Sequence, residues 1–162
     1  MKKNMEILEI IEKNPKISID NIAVMIGATK EEVESTIIEM EEQKIIVGYN
    51  TLVNWEKTDR NDVTAIIEVK VTPKKGVGFE CVAADICKYE EVKSCSLLSG
   101  GFDMIVTLEG KTMREVALFV AEKLAVIDGV VGTATHFVLK KYKDAGIDFG
   151  NNKKDNREVV VL

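Results

Sequence analysis

"SIDNIAVMIGATKEEVESTIIEMEE", Ser18 to Glu42, decides how the start of this chain folds. Behind Ser18, a residue suited to capping a helix, Ile19, Ile22, Ala23 and Ile26 recur at helical spacing, and Gly27 ends the run. Thr29 opens a second run, in which Glu32, three places on, completes a capping box and Val33, Ile37 and Met40 form one apolar stripe. Two helices joined by a tight glycine turn read as a helix-turn-helix. The second helix carries an unusual charge for that role: Thr29–Glu42 holds six glutamates and one lysine.

Upstream, Met5, Leu8 and Ile11 mark an amphipathic helix that "NPK" (Asn14–Lys16) stops, because proline disfavours helical backbone just before it. Charges interrupt its apolar positions, so the start is not a secretory signal, and no apolar run is long enough to span a bilayer. Downstream, "IIVGYN" (Ile45–Asn50) reads as a strand leaving the helix, which completes a first domain over residues 1–50. Residues 51–62 are polar and read as a connector that Trp55, their one large aromatic, anchors against a domain.

Residues 63–143 have a different rhythm. "VTAIIEVKV" (Val63–Val71) is a β-branched strand, and "TPKKGVG" is a surface turn without the spacing of a phosphate loop. A helix follows with Phe79, Val82, Ala83 and Ile86 on one side, then strands Val92–Leu98 and Phe102–Glu109. "TMRE" (Thr112–Glu115) caps a helix carrying Val116, Phe119, Val120 and Leu124, and Val130–Lys141 is a last strand. The order βαββαβ makes a ferredoxin-like sandwich with both helices on one sheet face, so the whole chain is of the α+β class. Alternation then points Ile66, Leu97, Ile105 and Val138 away from the helices, as an apolar patch that sheet-to-sheet pairing of two copies would cover. Residues 144–162 read as a C-terminal tail.

Charge is unevenly distributed. Residues 1–50 have six lysines and ten carboxylates, a net −4, while residues 51–143 have thirteen of each sign; the whole chain carries −5. The segment shaped like a DNA reader is therefore the most acidic, which opposes tight nonspecific binding to phosphate. Cys81, Cys87 and Cys95 are odd in number and lack paired zinc spacing, so they read as reduced thiols of a cytoplasmic protein. His136 is the sole histidine; it has no second ligand for a metal and no spacing that joins it to a thiol. No metal site, cofactor or enzymatic nucleophile–base pair is expected.

The plan, a helix-turn-helix and then βαββαβ, resembles the Lrp/AsnC family of transcriptional regulators over about residues 5–143. The resemblance lies in "ILEII", "KIS", "NIA" and "IIVGY" of the first domain. In the second it lies in "EEVKSCSLLSGGFDMIV" (Glu90–Val106) and "KLAVIDGVVGTATHFVLKKYK" (Lys123–Lys143). It implies a winged helix-turn-helix domain that binds double-stranded DNA, with Ser18, Thr29, Lys30, Glu31, Ser35 and Thr36 at the duplex. It also implies a RAM-type ferredoxin-like domain that dimerises, assembles further and binds an amino acid or related metabolite. By the same resemblance Ser99, Gly100, Gly101, Phe102 and Asp103, with Thr133 and Thr135, would line the effector pocket.

The residues alone leave alternatives open at both places. The family's recognition helices commonly carry basic residues where this chain has Ser35, Thr36 and Glu39. A glutamate can accept from a cytosine amino group, yet several near phosphates repel, so a solvated face and a base-reading face stand side by side. A chain with weak or lost DNA binding, acting through a more basic paralogue, is the alternative function. In "LLSGGFDMIV" the glycines allow backbone conformations closed to other residues and expose N–H groups to a carboxylate, while Asp103 offers a partner to an ammonium. An ordinary hairpin turn would use the same glycines for geometry alone.

Overall fold

The computed structural model describes residues 2–73 and 78–150, so Lys74–Val77 of the expected surface turn and residues 151–162 of the expected tail lie outside the described residues. The chain divides into two compact units, one ending at Val53 and the other starting at Asn54. No helix among the described residues is long and apolar enough to cross a membrane.

The first unit packs α1 (Lys2–Lys13), α2 (Ile19–Ile26) and α3 (Lys30–Glu42) around Ile7, Ile22, Ala23, Val33 and Met40. Local chemistry sets each boundary. Ser18 Oγ accepts from the Asn21 N–H at 3.3 Å, and Gly27 closes α2 in the left-handed conformation at φ +62°. The reciprocal box at α3 is complete: Thr29 Oγ1 accepts from Glu32 N–H, and Glu32 Oε2 accepts from Thr29 N–H. In α1 the fully buried side chain is Ile7; Leu8 and Ile11 of the expected stripe are half-buried, and Met5 is 57% exposed.

Ile45–Asn50 forms no strand. At the end of α3 the chain reverses through Lys44, at φ +58°, and the N–H groups of Ile45 and Ile46 both donate to the Met40 carbonyl. Beyond that turn no described segment lies alongside to complete a ladder, and extended backbone becomes a strand only when its hydrogen bonds find one.

The second unit is the α+β sandwich. Strands β1 (Val63–Val71), β2 (Val92–Leu97), β3 (Met104–Gly110) and β4 (Val130–Phe137) form an antiparallel sheet in the order β2-β3-β1-β4. Helices α4 (Glu80–Cys87) and α5 (Met113–Phe119) supply Val82, Ile86, Val116 and Phe119 to a core shared with Ala65, Ile67, Val69, Met104, Val106 and Leu108. After Phe119 the coil widens to a π-helical turn, Val120–Leu124, which keeps both Val120 and Leu124 buried. A two-stranded hairpin, β5 (Lys143–Asp144) with β6 (Ile147–Asp148), starts the segment read as a tail, turning through Ala145 and Gly146, both at positive φ. The connector joins this unit: Arg60 stacks on Trp55, 4.4 Å from the ring centre, and pairs with Asp62, while Asn54 Nδ2 donates to the Phe149 carbonyl.

Candidate functional site

Of the six sequence-derived DNA residues, Ser18 and Thr29 stand at the starts of α2 and α3, Lys30 and Glu31 open α3, and Ser35 and Thr36 lie in its middle; most of their polar atoms already have internal partners. Ser18 and Thr29 cap α2 and α3. Lys30 Nζ lies 3.1 Å from Asp20. Ser35 and Thr36 both donate their hydroxyls to the Glu32 carbonyl, at 3.1 and 2.7 Å. Glu31 is exposed, as are Glu34 and Glu42, and none of the three has an ion pair among the described residues. Glu39 and Glu41 are engaged, accepting from Gln43 Nε2 and from the Tyr49 hydroxyl. Burial first, and then that bond to Glu41, holds the Tyr49 phenol above its usual range. Ile38, 49% exposed, shares this solvent face.

In the second unit the 98–103 loop is clipped shut. Leu98 N–H donates to the Asp103 carbonyl, Asp103 N–H to the Val69 carbonyl, and Val71 N–H to Asp103 Oδ2 at 2.8 Å. Ser99, Gly100 and Gly101 are exposed, and Phe102 is half-buried. The expected special backbone at the glycines is not found: neither has a left-handed φ, and a Cβ on either would meet nothing within 4 Å. Geometry within one chain therefore does not require glycine there.

Thr133 and Thr135 pair with Val69 and Ile67, so they lie on the helix side of edge strand β4. Asp103 approaches the same end of β1 from its other side, so Asp103 and the threonines stand about two strand spacings apart, roughly 10 Å. One chain brings the seven residues to one end of the sheet without closing them into a single cup.

The sheet face away from the helices carries Ile66, Ile105, Ala134 and Val138, but not Leu97. A register shift between Val92 and Ser94 inserts one residue and reverses the alternation of β2. Leu97 therefore opposes Met104 on the helix side, and Ser96 opposes Ile105 on the outer face. Also outward are Glu68 and His136, diagonal neighbours with His136 Nε2 3.5 Å from Glu68 Oε2. Strand alternation marks both as outward, but only the β1–β4 register shows that they meet. The sheet separates this imidazole from Cys95, which faces the helices, and from Cys81 and Cys87 on α4.

Residues 64–147 match the Lrp/AsnC ligand binding domain. An uncharacterised HTH-type transcriptional regulator of Bacillus subtilis (strain 168), YugG, is 45% identical over 159 residues, spanning 98% of this chain and 96% of the relative. The leucine-responsive regulatory protein of Haemophilus influenzae is 29% identical over 86% of this chain and 84% of its own. Among solved structures, a transcriptional regulator of Neisseria meningitidis in complex with L-Met superposes with a TM-score of 0.69 at 24% identity, covering 89% of this chain and 92% of that one. Escherichia coli AsnC gives 0.64 at 18% identity, over 87% and 93%.

Proposed function

This chain belongs to the Lrp/AsnC family of transcriptional regulators, and from that premise we propose that it binds double-stranded DNA through α2 and α3 and is modulated by an amino acid or related small metabolite. The effector is held by the second unit, at the 98–103 loop and Thr133 and Thr135. Two copies pair through the outer sheet face, assemble further, and act in the cytoplasm, where the DNA is. Pairing lets individually weak DNA contacts add through avidity.

The observation that carries this reading is the exposed Gly100–Gly101 backbone beside the clipped Asp103. Neither backbone angle nor packing within the chain calls for two glycines, so their use lies in close approach by something outside it. Exposed N–H groups suit a carboxylate, and Asp103 suits an ammonium. The solved relative with L-Met bound shares the fold, which supports the same ligand class.

The bare carboxylates of Glu31, Glu34 and Glu42 favour a second reading: a metabolite-sensing oligomer with weak DNA binding of its own that acts through a more basic paralogue. Selection of genomic fragments by the purified chain at low salt, with and without amino acids, tests both. Enrichment that shifts with an amino acid supports the first reading; no enrichment by the chain alone removes it and leaves the second.

A further inference from the structure

Glu68 and His136 sit in the part of the sheet face that the proposed pairing of two copies would cover. The groups around them are few. On the outer side, β1 adds Thr64, Ile66 and Lys70, and β4 adds Gly132, Ala134 and Val138. From β3 come Ile105, Thr107 and Glu109, the last 3.9 Å from Arg60, and from β2 come Ser94 and Ser96. At the end of β3, the Asp103 carboxylate is turned to the Val71 N–H. His136 is thus the one group on this face whose type changes charge near neutral pH.

We propose that association of two copies through this face is proton-linked: protonated His136 neutralises Glu68 at the interface, and the pairing tightens as pH falls. The inference rests on the sheet-to-sheet pairing proposed above. Its sign follows from desolvation. In a two-fold pair each face meets its own copy, so two Glu68 carboxylates leave water together. With neutral imidazoles they are buried without a charged partner at 3.5 Å, and an uncompensated buried carboxylate is costly. Protonation turns each into a net-neutral pair. A histidine stabilised in its charged form contributes below its ordinary titration range, and the contribution fades as pH rises through and above it.

The test is sedimentation equilibrium of the full chain at pH 6 and pH 8 at one ionic strength, with His136→Gln and Glu68→Gln beside it. For two histidines the expected change is a dissociation constant several-fold to roughly tenfold tighter at pH 6 than at pH 8. His136→Gln flattens the dependence, and Glu68→Gln pairs tightly at pH 8 with the dependence flattened or reversed. A wild-type dimer of equal strength at both pH values overturns the proton linkage and leaves the pairing standing. A chain that stays monomeric at both overturns the pairing and the linkage together.

Discussion

The Val71 N–H donates to the Asp103 carboxylate at 2.8 Å, tying the loop between β2 and β3 to the end of β1. The contact is partly buried and joins residues far apart in sequence, so it orders the loop, and the effector site proposed above would use the same carboxylate to meet an ammonium. The two roles separate by substitution. Asp103→Asn keeps an oxygen acceptor for Val71 and should leave the urea midpoint nearly unchanged while weakening amino-acid binding, measured calorimetrically, by tenfold or more. Asp103→Ala strands a buried N–H and should cost about 1–3 kcal/mol. An Asn variant with unimpaired ligand binding would reduce Asp103 to a clip.

Pairing through the outer face predicts different outcomes for two apolar residues that simple alternation places together. Ile105 faces outward and Leu97 faces the helices. Burying an isoleucine contributes about 1.5–3 kcal/mol before association costs, and a lysine in its place also brings a charge into the interface. Ile105→Lys should give monomers in sedimentation where Leu97→Lys leaves the assembly intact. Dissociation by Leu97→Lys and not by Ile105→Lys would put the interface elsewhere.

Cys95 differs from the other two thiols. Burial, and next the Cys87 thiol beside it, push Cys95 up to about 11. Thiolate is the reactive form, so at pH 8 Cys95 holds roughly a hundredfold less of it than an ordinary thiol does. Iodoacetamide followed by peptide mass spectrometry should modify Cys81 and Cys87, both exposed, well before Cys95. Equal rates at all three would contradict the burial of Cys95.

The helices and their caps were legible because their causes are local. Thr29 and Glu32 are three residues apart, and each satisfies the other's backbone. Thr29→Ala should accordingly cost about 1 kcal/mol, read from the helical signal in urea. What sequence missed depends on partners distant along the chain. The face of Leu97 was reversed by a bulge that no residue type in "VKSCSLL" announces. Ile45–Asn50 has strand composition and no described neighbour to pair with. The β5–β6 hairpin left one trace, Gly146, which suits the positive φ of the turn, whereas Ala145 beside it takes the same left-handed region without a sequence signal for it. The candidate effector residues come as a set only from the family resemblance, and their separation across β1 follows from strand order alone.

The glutamates of α3 give the sharpest test of what the first unit does. Glu31, Glu34 and Glu42 are exposed, have no ion pair among the described residues, and lie outside the capping box. Changing all three to glutamine removes negative charge without shortening a side chain or disturbing Thr29 and Glu32. If this face meets the duplex, lost repulsion should tighten binding to arbitrary DNA, roughly tenfold at low ionic strength and less at high, where screening is stronger. Sequence preference should fall if any of the three accepts from a cytosine amino group. The measurement is a fluorescence titration of parent and variant with unrelated duplexes at two salt concentrations. Unchanged affinity at low salt would show that the face does not approach phosphate, and the reading in which a more basic paralogue supplies the DNA contacts would take precedence.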